Sequence, residues 1–386
     1  MKKKILFSIL ILLRVSIGNA QNLTIIKEDY QKARIESEKQ KKMLIIDFYT
    51  TWCKPCKMLD KAIFYDSTYS KELAKNFVLL KYNAEKDSAF NLALKHHLTL
   101  YPTNLILNSN GFVLNRMNGT GTGEINKIPY FYSQFTEKAI SLNQTDEYIK
   151  GVSNSINLNY PNFLFDIKDK KEKRLQANNY LKNSKDKFAE EFFILLVLYN
   201  NDSTIQDFVL ANRAKYENLF GKSDVQDYVR NIISFRYYVS VEQKDINLFE
   251  KTKLLSFQNL EENEAKAMSK RNQNLIDIAI GNYDKVIKSV KDRKGINDIE
   301  GFEINSVCWR IYEKSDDKSI LKECAMLMRQ VTEEQPDYGL LDTYARILHK
   351  FGDVKEARLQ MKKGVDIGKK NNENVSEGEE WLKNIK

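Results

Sequence analysis

Residues 44–58 read LIIDFYTTWCKPCKM, and that stretch decides how the N-terminal part of the chain folds. The run MLIIDFY (43–49) is too dense in aliphatic and aromatic residues for a solvated face and reads as a buried strand. Directly after it, Cys53-Lys54-Pro55-Cys56 sets two cysteines three apart where the chain turns helical through KMLDKAIF (57–64). In a helix-opening turn that spacing brings the two sulfurs close enough to form and break a disulfide. The first sulfur then lies beside unsatisfied backbone N–H groups, whose field stabilises a thiolate. Lys54 and Lys57 add positive charge. Cys53 is therefore the expected nucleophile, exposed at the helix start, and Cys56 the more buried resolving thiol.

Two other readings compete. Zinc needs about four ligands, and this pair supplies half of them. His96 and His97 would complete a set only by folding next to the motif, and no second closely spaced cysteine pair exists. Two inert core cysteines would sit in a continuous apolar pattern, whereas Trp52, Lys54, Pro55 and Lys57 are polar or turn-forming.

Working outward, EDYQKARIESEKQKK (28–42) reads as a helix before the strand, and residues 69–77 and 88–97 as helices after the motif. VLLKYNA (78–84) is a second strand, and TNLILN (103–108) and GFVLNRM (111–117) form a hairpin around Ser109-Asn110-Gly111. A helix over 125–142, with Pro129 in its first turns, closes the pattern near residue 145. Crossovers of this length make the first two strands parallel, the hairpin adds antiparallel strands, and helices cover both faces.

Beyond residue 145 strand-like alternation nearly vanishes, and apolar residues return at three- and four-residue steps, as in DKFAEEFFILLVLYN (186–200). Residues 146–285 read as a helical domain and 286–386 as tetratricopeptide-like helical hairpins. In the best-phased copy (338–370), Leu341, Tyr344, Ala345 and Leu348 lie on one helix, Gly352 in the turn, and Ala357, Met361 and Gly364 on the next. An upstream counterpart (304–336) aligns Cys308 with Ala345, so Cys308 and Cys324 are expected to fill an interhelix seam as thiols rather than as a disulfide.

The N-terminus has three lysines, an apolar segment and the small-residue ending Gly18-Asn19-Ala20, the layout of a signal peptide over 1–20, with a retained membrane anchor as the lesser alternative. Its loss removes four positive charges and no negative ones from a net charge of +9. What remains is mixed surface charge with no basic tract or aromatic platform for nucleic acid. Export, to the periplasm or outside the cell, permits disulfides, but four cysteines are too few to staple so long a chain.

The run IIDFYTTWCKPCKM resembles the active-site strand and turn of the thioredoxin superfamily, YPTNLIL (101–107) its cis-proline loop and following strand, and NSNGFVL (108–114) its hairpin. KxLDKxIF after Cys56 and the Tyr-Pro-Thr run are similar to the thioredoxin-like domains of exported bacterial thiol proteins, including the C-terminal domain of the membrane reductant transporter. The resemblance implies an α/β thioredoxin-like domain over 21–145 followed by an all-α helical-hairpin region. It implies that Cys53 attacks and Cys56 resolves, that Asp47 handles the Cys56 proton through water, and that Pro102 is cis. Trp52, Tyr101, Pro102 and Thr103 would then contact substrate, with the backbone of Tyr101 pairing to it. Lys54 stands where the family usually has glycine, and its charge is expected to favour the thiolate and raise the redox potential.

The implied function is an exported thiol–disulfide oxidoreductase without a cofactor, reducing or isomerising disulfide-containing envelope or secreted proteins. Nothing in the chain supplies electrons to it, so a membrane thiol-reductant donor is implied. The competing class is a helical-repeat binding or scaffold protein with a redox-sensing thioredoxin-like domain, its helices holding a partner or pairing two copies.

Overall fold

The computed structural model describes residues 22–87, 89–291 and 298–385. The expected signal peptide lies outside them. The chain divides into two compact units, one ending at Val229 and the other beginning at Arg230.

The first unit is built on five strands: β1 (Thr24–Lys27), β2 (Met43–Tyr49), β3 (Phe77–Asn83), β4 (Thr103–Leu107) and β5 (Val113–Asn118). They lie in the order β1-β3-β2-β4-β5. β3 runs parallel to β1 and β2, while β4 is antiparallel to β2 and β5 to β4. The expected parallel pair and hairpin are there, and β1 is an addition. Its four residues, TIIK, are too short for periodicity to mark, and they form a strand because β3 offers them an open edge.

Around the sheet lie α1 (Tyr30–Gln40), α2 (Lys54–Leu59), α3 (Ser67–Asn76), α4 (Leu92–Lys95) and α5 (Ile128–Gln144). Asp29 caps α1 by accepting from the Lys32 N–H, and Lys41 ends it in the left-handed region. α2 gives way to a single π turn over Asp60–Phe64, closed by the Tyr65 N–H donating to the Asp60 carbonyl. The helix expected over 88–97 shrinks to one turn. Asn91 before it and His97 after it both have positive φ, which breaks the ladder at each end.

Alternation sorts the strands' side chains between two faces. Ile45, Leu79, Ile106 and Leu114 pack with Leu59, Phe64, Tyr132 and Phe135 in one core. Leu44, Ile46, Phe48, Val78 and Leu80, also buried, have the opposite parity.

The chain then continues as α6 (Phe163–Asp166), α7 (Lys170–Asn183), α8 (Glu190–Tyr199), α9 (Ser203–Ala211), α10 (Arg213–Phe220) and α11 (Lys222–Glu242). Phe193 stacks on Phe220 at 4.1 Å and meets the His97 ring edge-on at 5.4 Å. Lys95, almost fully buried, is held by Glu190 at 2.5 Å and by the Ser153 carbonyl at 2.9 Å.

The second unit is helical: α12 (Ile246–Asn259), α13 (Glu262–Ala279), α14 (Tyr283–Lys291), α15 (Asp298–Lys314), α16 (Lys318–Glu334), α17 (Tyr338–Phe351), α18 (Val354–Lys370) and α19 (Ser376–Asn384). Gly352 caps α17 at φ +117°, a conformation that favours glycine, and turns the chain into α18. Ala357 and Met361 are buried on α18 as the spacing required. Cys308 and Cys324 are both fully buried free thiols in the core shared by α15, α16 and α17.

Candidate active site

Cys53 occupies the N-cap of α2, with Pro55 in the helix's first turn, and is disulfide-bonded to Cys56. The Cys56 N–H donates to Cys53 Sγ at 3.1 Å, so the sulfur itself serves as the helix cap. An amide aimed at that atom stabilises negative charge there once the bond is reduced. Lys54, between the two cysteines, and Lys57, directly after them, are exposed. The two cysteines are equally covered, at 3% exposure each, which corrects the expectation of an exposed Cys53 and a more buried Cys56. Bonding to Cys56 and capping the helix both turn Cys53 Sγ inward.

Trp52, immediately before the pair, is 67% exposed. Its indole N–H donates to Glu85 at 2.9 Å, and its ring meets that of Tyr101 edge-on at 6.3 Å. The Tyr101–Pro102 peptide bond is cis. Phe48 pairs with Thr103, so the chain leaving β2 toward the cysteines and the chain entering β4 from Pro102 lie at one end of the sheet. Trp52, Tyr101 and Glu85 form a rim there. Burial, with Glu85 and Asp87 nearby, raises the Tyr101 pKa, so its phenol stays neutral. Thr103 is fully buried, its hydroxyl donating to the Leu100 carbonyl at 2.8 Å, and Gly119 N–H donates to the Pro102 carbonyl at 2.7 Å.

Further into the sheet from that end lies a buried polar chain. Asp47 has the parity of Ile45, and register sets Lys81 beside it on β3 and Asn104 beside it on β4. Lys81 Nζ donates to Asp47 Oδ2 at 2.5 Å and also to Asp60, in the π turn. Asn104 Nδ2 donates to Asp47 Oδ1 at 3.0 Å, and the Tyr132 hydroxyl donates to Asn104 Oδ1 at 3.0 Å. Burial raises the Asp47 pKa and outweighs the pull of Lys81, leaving a carboxylate with increased proton affinity. Burial alone would lower Lys81, but Asp47 and Asp60 outweigh it, so the ammonium persists.

Lys81, Asp60, Asn104 and Glu85 were not among the residues singled out in the sequence. Lys81 carried a signal: a lysine inside the apolar run FVLLKYN needs a buried anion, and Asp47 inside LIIDF needs a cation. His96 and His97 stand apart from the cysteines, His96 against Phe48 and His97 beside Arg116 and Asp224.

Fold and site together define a thioredoxin-like domain carrying a closely spaced redox-type cysteine pair, followed by a long helical region. Residues 24–109 match the thioredoxin-like family. A thiol:disulfide interchange protein, DsbD, of Haemophilus ducreyi is 33% identical over 84 residues, which are 21% of this chain and 14% of that protein. The chain thus spans a small part of that relative's length. Reduced Schistosoma mansoni thioredoxin pre-protein is 23% identical over 30% of this chain and 99% of its own, with a TM-score of 0.21. A DsbH oxidoreductase is 19% identical over 34% and 93%, with a TM-score of 0.25.

Proposed function

We propose that the protein is an exported thiol–disulfide oxidoreductase that reduces or isomerises disulfides of envelope or secreted proteins. The observation that carries this reading is the Cys53–Cys56 disulfide at the N-cap of α2, with a backbone amide aimed at Cys53 Sγ. In the reduced protein the Cys53 thiolate attacks one sulfur of a substrate disulfide, forming a mixed disulfide and releasing a substrate thiolate. Cys56 loses its proton to Asp47 through water and attacks Cys53 Sγ. The Cys53–Cys56 bond forms, the second substrate thiolate leaves, and two electrons have passed to the substrate.

Asp47 suits that role because a carboxylate with a raised pKa binds a proton more readily. Trp52 and Tyr101 line the approach, and the Tyr101 backbone pairs with the incoming chain. The buried Thr103 hydroxyl is already bonded, so Thr103 serves substrate by holding this loop. Lys54, exposed beside the pair, favours the thiolate. A membrane thiol-reductant donor returns the dithiol to its reduced state. The likeness to part of an interchange protein supports that pairing, and the N-terminal lysines and apolar segment support export. The hairpins of the second unit, read as tetratricopeptide-like, hold the client or a second copy.

The test is turnover of a disulfide-bonded polypeptide by the full-length protein, recycled with dithiothreitol. Cys53→Ser is expected to abolish catalysis, and Cys56→Ser to accumulate mixed disulfides that thiols release. A parent protein no faster than dithiothreitol alone would end the proposal.

A further inference from the structure

Asp224 and Asp227 lie three residues apart on α11, within the first unit, and so share one helix face. That face meets Arg116 and Asn118, which lie two apart on β5 and share one face of the sheet's edge strand. Arg116 Nη1 donates to the His96 carbonyl at 2.7 Å and stands 3.4 Å from Asp224 Oδ2. His97 Nε2 lies 2.9 Å from that nitrogen and 3.1 Å from Asp224 Oδ2, so it accepts from the guanidinium or donates to the carboxylate, one at a time. Asn118 Nδ2 donates to Asp227 Oδ2 at 2.8 Å. Asn118 Oδ1 accepts from Arg116 Nε at 2.9 Å and stands 3.3 Å from Thr103 Oγ1.

Every group gripped by this network borders one loop. His96 and His97 enter it, Leu100 is bonded by Thr103, and Pro102 is bonded by Gly119, the residue after Asn118. Tyr101 sits between them. The loop has no regular structure of its own, and the groups that brace it from α11 lie far outside the matched residues 24–109.

We propose that Asp224 and Asp227 are positioning residues: through Arg116 and Asn118 they hold the Tyr101–Pro102 loop in the geometry that receives a substrate polypeptide. The inference rests on the oxidoreductase reading. A backbone segment that must pair with an incoming chain binds weakly when it samples several conformers, and charge-assisted bonds from a packed helix remove that sampling before substrate arrives. The Asp47–Lys81–Asp60 chain contacts Tyr132 and the α2 side, and none of its bonds joins this network. Loop position and thiol chemistry are therefore separable. Polypeptide binding depends on α11, while the reactivity of Cys53 does not.

The test uses the full-length protein recycled with dithiothreitol, on insulin and on a small aromatic disulfide, 5,5′-dithiobis(2-nitrobenzoate). Asp227→Ala is expected to raise KM for insulin by about three- to tenfold, the loss of a net hydrogen bond or two in ordering the loop, with kcat within about twofold. The small-disulfide rate and the Cys53–Cys56 potential stay at the parent values. Asp227→Asn still accepts from Asn118 Nδ2 and is expected to restore the parent KM. Asp224→Asn, which weakens the hold on Arg116, is expected to raise KM in the same way. Should Asp224→Asn fail to fold, the half-buried Asp227 decides alone. An unmoved KM in Asp227→Ala, or an equal loss on both disulfides, would overturn the positioning role. A parent inactive on both disulfides would overturn the oxidoreductase reading itself.

Discussion

Lys81 Nζ stands 2.5 Å from Asp47 Oδ2 with both side chains almost fully buried, and the same ammonium holds Asp60, whose side chain is 22% exposed. One cation thus serves two carboxylates, one sealed inside the sheet's core and one open toward solvent. That asymmetry decides which partner the fold can lose.

Lys81→Met strips both carboxylates of their ammonium and is expected to cost about 3–5 kcal/mol, the penalty for leaving a buried charge uncompensated. Asp47→Asn leaves Lys81 with Asp60 and is expected to cost about half of that or less. Because burial raises the Asp47 pKa in the folded protein, its contribution to stability is present at acid pH and is lost as pH rises through the folded-state value. Asp47→Asn should therefore gain on the parent as pH increases. Urea unfolding of the oxidised proteins at two pH values measures both effects, and a costlier Asp47→Asn would contradict this account.

Trp52 predicts the opposite balance between stability and activity. With its side chain mostly in solvent, Trp52→Ala is expected to change unfolding free energy by less than about 1 kcal/mol. It removes the Glu85 bond and the edge contact to Tyr101, and an aromatic contact of that kind is worth about 0.5–1.5 kcal/mol. If the ring contributes that much to capture, turnover of a disulfide-bonded polypeptide falls by about three- to tenfold. Unchanged turnover in a stably folded variant would remove Trp52 from the recognition surface.

His96 and His97 should make the fold acid-sensitive. Burial lowers both pKa values, with Lys95 and Arg116 adding to it at His96, and Arg116 at His97, where Asp224 opposes. A histidine kept neutral in the folded state binds fewer protons than in the unfolded chain below about pH 6.5. Stability is then full above that pH and declines below it, by up to about 1.4 kcal/mol per pH unit for each histidine. The check is the denaturation midpoint at pH 7.5 and 5.5 in the parent and in His97→Gln. The variant should lose part of the pH dependence, and an unaltered dependence would assign the effect elsewhere.

In the second unit, Gly368 lies where an added Cβ would be 2.5 Å from Val375 Cγ1 and 3.2 Å from the Tyr338 ring. At Gly364 the nearest atom, Leu341 Cβ, is 3.0 Å away. Alanine in a helix gains about 1 kcal/mol over glycine, but overpacking a close seam costs about 1–3 kcal/mol. Gly368→Ala is expected to destabilise the protein more than Gly364→Ala. Thermal unfolding of the two variants ranks them, and the reverse order would mean that Val375, at the N-cap of α19, yields more readily than Leu341 on α17.

What the chain announces locally, it announces well. MLIIDFY, the hairpin around Gly111, the CxxC at a helix start and Gly352 between two helices are each decided within a few residues, by apolar density, turn chemistry or spacing. The parallel strand pair follows from the length of the crossover. Two departures within the same region, the reduction of the 88–97 helix to one turn and the inward sulfur of Cys53, arise where backbone reversals and a capping bond override pattern.

The sequence by itself therefore determined most of the strand and helix types and the position of the dithiol, but neither the short strand β1 nor Lys81, Asp60, Asn104 and Glu85 around the site. Only the tertiary structure decided their partners. Asp47 and Lys81 are 34 residues apart and become neighbours through strand register, and Arg116 meets Asp224 across 108 residues. Periodicity reports which side of an element is buried, because burial repeats along the chain. It carries no record of which distant charge will meet that side, since that is set by how the elements pack.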